Sequence, residues 1–184
     1  MIVSTIIRML GGEWAVRARS YKVPYLRILW RLHCHQRLAY LPLDADIRGE
    51  PCLPHGITGI HISGGSRIGV DCVLFQFVTV GSNTLLGSAG FGSPTLGDNC
   101  FVGAGAKIIG NVSLGNRVRV AANAVVTKDV PDDTLVVGVN RHHISSKQLD
   151  NRFYSYRSRW CFFREGDWVV ESDVQVLKRL NQGD

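Results

Sequence analysis

Between Ile62 and Pro131 an aliphatic residue returns at every sixth position: Ile62, Ile68, Leu74 and Val80, then Leu96, Val102, Ile108, Leu114, Val120 and Val126. Four residues after each stands a small or β-branched one, from Ser66, Cys72 and Val78 through Cys100 and Ala106 to Ala124 and Val130. Glycine follows the aliphatic directly at Gly69, Gly81, Gly97, Gly103 and Gly115. Strand side chains alternate with a period of two, so six residues bring the same face back. On a helix, six residues turn the chain by roughly 600° and scatter the aliphatics around the cylinder. The spacing therefore predicts short extended segments joined by tight corners and stacked as a β-helix around a continuous aliphatic core. A meander of short strands in a sandwich is the other reading, but its turns recur at a looser spacing of about 8–12 residues.

The repeat breaks twice. Leu53 to Ile62 spans nine positions instead of six, around Leu53-Pro-His-Gly-Ile-Thr-Gly-Ile-His-Ile62. Val80 to Leu96 spans sixteen where two hexads give twelve, and residues 85–95 between them are rich in glycine and serine. This second break predicts a protruding loop, and insertions in repeat folds tend to line the binding face. Before the repeat, apolar residues of Tyr25–Tyr40 fall at helical spacing with Arg27, Arg31 and Arg37 among them, after a favourable Pro24. His33 and His35 lie on that stretch as ordinary surface or cap residues. The segment reads as docking on the β-helix, with a membrane surface as the alternative partner of a basic amphipathic helix. After the repeat, residues 145–184 form a tail that interleaves rings with arginines, from Phe153 to Arg164. It is expected to pack on the open end of the β-helix, with a short helix over Val169–Leu180. The chain thus divides into an N-terminal helical segment (1–40), a repeat body (41–144) and a C-terminal tail (145–184).

Composition changes the picture little. Most of the net charge of +6 comes from the first 46 residues, with seven Lys/Arg against three Asp/Glu. Neither remaining part is far from balance, and no nucleic-acid-binding motif accompanies the excess. Five cysteines form no metal or disulfide spacing, which suits a reducing, cytoplasmic setting. No apolar run approaches the ~18 residues of a membrane span.

The block Leu96-Gly-Asp-Asn-Cys-Phe-Val-Gly-Ala-Gly-Ala-Lys-Ile-Ile-Gly110, with Val125-Val-Thr-Lys-Asp-Val-Pro131, resembles the hexapeptide-repeat acyltransferases. Leu53-Pro-His-Gly56 and Gln76-Phe-Val-Thr-Val-Gly81 are similar to the serine acetyltransferase branch and its sugar O-acetyltransferase relatives. The resemblance covers roughly residues 41–144. It implies a mainly β fold, a left-handed parallel β-helix with three hexapeptides per coil, and a homotrimer with active sites between subunits. It also implies acetyl-CoA as co-substrate, with no metal.

Moving an acetyl group to an alcohol calls for a general base near neutrality. Among six histidines, His55 lies on the first break and matches the family's catalytic histidine. The resemblance further places the coenzyme A arm against Gly103, Ala104, Gly105, Ala106, Ala121 and Ala122. It sets Lys128 and Arg141 toward the nucleotide phosphates, and Gln76 and Ser93 toward the acceptor. The chain departs from serine acetyltransferases in three ways. Ser93 stands where a second histidine precedes the proline. Tyr40 falls near the place of an orienting aspartate, with Asp44 and Asp46 the nearest substitutes. Forty residues are too few for the usual helical domain. These departures favour a sugar or polysaccharide hydroxyl as acceptor, with L-serine the alternative. A non-catalytic β-helix scaffold is a third reading. A zinc carbonic anhydrase of the same fold is disfavoured, because His55 and His61 lack a third ligand at coil spacing.

Overall fold

The computed structural model describes residues 2–182. Strands of two to four residues stack in parallel into three faces. One face holds Asp46–Ile47, Arg67–Ile68, Thr95–Leu96 and Ser113–Leu114. The next holds Val73–Leu74, Phe101–Val102, Arg119–Val120 and Thr134–Val137, and the third holds His61–Ile62, Thr79–Gly81, Lys107–Ile109 and Val125–Val126. Phe101 pairs with Arg119, Thr95 with Ser113 and Lys107 with Val125, each eighteen positions on, so one coil is three hexads. The sixth-position aliphatics point inward and are almost fully buried, as are Cys72, Val78, Cys100, Ala106, Val118 and Ala124 at the corners. Each buried Val, Leu or Ile side chain contributes about 1.5–3 kcal/mol.

Register assigns the two breaks. Across the first, Asp46 pairs with Arg67 and Cys52 with Val73, twenty-one positions on, so three residues are added at one corner. Across the second, Arg67 pairs with Thr95 and Val73 with Phe101, twenty-eight positions on. Val80 and Leu96 are therefore one hexad apart with ten residues inserted, and no second hexad is hidden in the gap. The insertion is pinched at its base by paired hydrogen bonds between Asn83 and Gly92, both 2.9 Å, and carries exposed Leu85 and Leu86 at its tip.

Three helices precede the repeat: α1 (Ile2–Met9), α2 (Glu13–Ser20) and α3 (Pro24–Gln36). Only the last follows from the apolar spacing; it ends at Gln36, short of Tyr40. Together they close the first coil. Ile7, Val16, Trp30 and Cys34 join the same buried cluster as the repeat aliphatics, and the Trp30 indole donates to Leu41 O at 3.0 Å. His33 is not a surface residue: it is 1% exposed, and its Nε2 lies 2.8 Å from Glu13 Oε1.

The C-terminal tail departs from expectation. It runs back down the side of the β-helix instead of capping its open end. Asn151 donates to Asn99 O and Val118 O, and the Glu165 amide donates to Asp71 at 2.6 Å. The tail then forms an antiparallel sheet of Tyr154–Tyr156, Trp160–Arg164 and Asp167–Val170 beside the first coils. Val169 and Val170 are in a strand; the helix, α4 (Val174–Gln182), begins later because Asp173 accepts from the Gln175 and Val176 amides as its cap.

Candidate active site

His55 sits on the corner that the first break enlarges. Residues 53–60 make two successive turns, closed by Gly56 N–H to Leu53 O at 2.9 Å and Ile60 N–H to Ile57 O at 3.1 Å. Gly56 and Gly59 take φ values of +61° and +64°, where a side chain is disfavoured. Ile57 and Ile60 plug the widened coil from inside and are fully buried, which leaves His55 outside and exposed.

A ladder of backbone hydrogen bonds climbs from this corner. Phe77 N–H donates to Thr58 O at 3.1 Å, Gly105 N–H to Gln76 O at 3.0 Å, and Asn123 N–H to Ala104 O at 2.8 Å. His55, Gln76, Gly103–Ala106 and Ala121–Ala122 therefore share one edge of the prism. With coils about 4.8 Å apart, three steps separate His55 from Ala122, roughly 14 Å. Gly103 leaves no room for a Cβ, which would lie 2.7 Å from Ala122 N. Ala106 and Gly103 are buried, so Ala104, Gly105, Ala121 and Ala122 supply the surface along this edge. Two features there escaped the sequence. The Gln76 Oε1 is buried without a hydrogen-bond partner. Phe77 holds φ +60°, a left-handed conformation costing a bulky residue about 1–2 kcal/mol, and its ring fills the space that a side chain on Gly59 would need.

The remaining predicted residues lie elsewhere. Ser93 belongs to the corner between the third and first faces, in a web of hydroxyls: Ser82 Oγ to Ser93 Oγ at 2.7 Å, Ser82 to Ser63 at 2.7 Å, and Ser93 donating to Gly64 O at 3.2 Å. Within one chain Ser93 and His55 thus occupy different edges. Lys128 and Arg141 are exposed and flank the Thr127–Asn140 hydrogen bonds at the last coil, which brings them near each other and far from His55. Neither Asp44 nor Asp46 serves His55. Asp44 packs against Gly64, Asp46 is on the first face, and Tyr40 stacks on His61 with ring centroids 6.0 Å apart.

A carboxylate beside the His55 corner is Glu13 of α2, also unforeseen: its Oε1 lies 3.7 Å from where a Cβ on Gly56 would be. Beside it a cleft of about 400 Å³ is lined by Glu13, Trp14, Glu50, Pro54, Gly56 and rings of the C-terminal sheet. Burial, and then the charge of Glu13, push the Glu50 carboxyl above its ordinary range. Phe75 joins the corner to this wall, with ring centroids 5.8 Å from His55 and 5.9 Å from Phe153. Arg157 lies over the Trp168 ring at 4.0 Å. The His55 ring has no hydrogen bond among the described residues, so its nitrogens are open to a proton from outside. Among the same residues, no three His, Cys, Asp or Glu side chains gather as a metal site.

Comparison with known proteins agrees with this architecture. A family model described as bacterial transferase hexapeptide (six repeats) matches residues 93–128. The chain is 41% identical to a serine acetyltransferase of Synechococcus elongatus over 87 residues, 47% of this chain and 34% of that protein. It is 40% identical to one of Mycobacterium tuberculosis over 91 residues, 50% of this chain and 39% of that protein. Serine acetyltransferase isoform 3 of Entamoeba histolytica, solved in complex with cysteine, aligns with a TM-score of 0.56 and 26% identity, covering 76% of this chain and 49% of that one. The chain spans about half or less of the length of these relatives. Residues 93–128 thus match the hexapeptide-repeat transferases, and the β-helix is similar to that of the serine acetyltransferases.

Proposed function

We propose that the protein is an acetyl-CoA-dependent O-acetyltransferase with His55 as general base. The observation that carries this reading is the shared edge: an exposed histidine at one end and a lane of glycine and alanine above it. A free nitrogen of His55 takes the proton of the acceptor hydroxyl. The oxygen then attacks the thioester carbonyl carbon, the C–S bond breaks, and His55 returns the proton to the departing thiolate. Small residues at Ala104, Gly105, Ala121 and Ala122 let a narrow pantetheine arm approach the backbone. The unpaired Gln76 Oε1 offers an acceptor to an amide N–H along that lane. Lys128 and Arg141 meet the nucleotide phosphates, and neighbouring subunits of a homotrimer complete each site.

The names of the relatives favour serine as the acceptor. A sugar hydroxyl is the second reading, favoured by two observations at the site. Ser93 is a hydroxyl donor tied to Gly64 O, unable to serve as a second base, and among the described residues no carboxylate is hydrogen-bonded to His55. Thiol release from acetyl-CoA, measured with serine, free sugars and nucleotide-sugars, tests both. Turnover with serine establishes the first, turnover with a sugar alone the second, and no acetyl-CoA binding at all would leave a non-catalytic scaffold.

A further inference from the structure

The N-terminal helices bury one side and leave an apolar stripe on the other. On α1, Ile7 is buried while Val3 and Leu10 pack on the core; Ile2, Ile6 and Met9, one turn apart, stand in solvent, with Ile2 and Met9 78% and 80% exposed. On α3, Leu26, Trp30, His33 and Cys34 face inward. Tyr25, Ile28 and Leu32 form a stripe on the opposite side at 71%, 62% and 50% exposure. With 3.6 residues per turn, Arg31 borders that stripe. Nine of the nineteen exposed large hydrophobics among the described residues fall within the first forty.

Charge says what covers this surface. Arg8, Arg19, Lys22, Arg27, Arg31 and Arg37 are all exposed, and none is in an ion pair among the described residues. The one acid on the three helices, Glu13, is turned inward to His33. Arg8 and Arg37 come together from α1 and the end of α3 in a shallow groove with Ser4, Thr5 and Gln36, a polar setting with two cations and no carboxylate. A second copy of the chain docked through this face would bring guanidinium against guanidinium. A layer of anionic headgroups over acyl chains matches both features, since apolar side chains insert while cations meet phosphates. No helix among the described residues is long and apolar enough to cross a membrane, so contact would be at the surface.

We propose that α1 and α3 form a peripheral docking surface for an anionic lipid membrane, with the Ile2–Ile6–Met9 and Tyr25–Ile28–Leu32 stripes in the interface and Arg8, Arg31 and Arg37 on the headgroups. The inference stands apart from the acetyl-transfer reading. The test is flotation of the full chain with vesicles of phosphatidylcholine alone or containing phosphatidylglycerol, at low and high salt. The protein is expected to float with the phosphatidylglycerol vesicles, weakly or not at all with neutral ones, and less as salt rises. Arg8→Gln with Arg37→Gln removes two cations and should weaken partitioning about thirtyfold. Ile28→Asp with Leu32→Asp should abolish it, while circular dichroism stays that of the parent because both positions are exposed. Failure to float with anionic vesicles, or equal flotation with neutral ones, overturns the proposal. So does self-association that Ile28→Asp with Leu32→Asp removes while flotation of the parent is absent, which would assign the face to a second copy.

Discussion

Ile57→Ala examines whether the widened corner under His55 is a packed part of the core or a surface loop. Ile57 has no exposed surface and lies within the continuous cluster that runs through every coil. The substitution removes three carbons, about 2.4 kcal/mol of transfer energy at ~0.8 per methylene. A residual cavity of some 40–60 Å³ adds about 1 kcal/mol. The two hydrogen-bonded turns on either side, with Gly56 and Gly59 already at positive φ, hold the backbone in place and limit its collapse into the gap. The expected loss is thus about 3–4 kcal/mol. With an m-value near 2 kcal/mol/M, the urea midpoint falls by about 1.5–2 M. Measurements belong at matched protein concentration, because subunit association would add to apparent stability. Leu86→Ala, at the tip of the ten-residue insertion and 90% exposed, is the control and should stay within about 0.5 kcal/mol. A loss below 1 kcal/mol for Ile57→Ala would mean that residues 53–60 do not pack as described, and the placement of His55 would fall with it.

Ala122→Glu places bulk and negative charge on the lane above Gly103; the KM for acetyl-CoA should rise at least tenfold with an unchanged melting temperature, and an unchanged KM would move the coenzyme to another edge. Ser93→Ala should lower turnover by less than about tenfold, far less than loss of a general base; a deeper loss would give Ser93 a chemical role. The C-terminal sheet should be sensitive to acid. Burial pushes the Glu171 carboxyl up, but the Asp173 amide, the Tyr154 hydroxyl, Arg152 and the Ser172 amide outweigh it and hold the folded value below the ordinary one. A depressed folded value contributes stability above the unfolded value of about 4.3 and loses it as pH falls through the folded one. Tryptophan fluorescence from Trp160 and Trp168 should therefore report loosening of the sheet below about pH 4, and Glu171→Gln should remove most of that pH dependence. Cys52 offers a check on packing: burial raises its thiol to about 12, so it should resist alkylation at pH 8 until the chain unfolds.

The repeat body was legible because a period of six has one physical solution that keeps every aliphatic on one side of a short strand. His55, Gln76 and the Gly103–Ala106 corner were singled out by resemblance and not by the period, and it is the register of the coils that sets them on one edge. The breaks were visible but not their size: Val80 and Leu96 are compatible with two hexads plus four residues or one plus ten, and only pairing of Arg67 with Thr95 decides. The first two helices were hidden because each has only eight residues and Gly11-Gly12 reads as a stop between them. The approach of Glu13 to Gly56 depends on how α2 packs against the first coil. The path of the tail rests on contacts such as Glu165 to Asp71, ninety-four positions apart, which no local pattern encodes.

The most direct measurement is single-turnover thiol release from acetyl-CoA by the parent and by His55→Ala, with the acceptor that supports turnover, beside acetyl-CoA binding by calorimetry. A lost general base should lower the rate by about 10²–10⁴-fold while coenzyme affinity and the circular dichroism spectrum stay those of the parent. A His55→Ala variant that turns over within a few fold of the parent would contradict the assignment of His55 as the base.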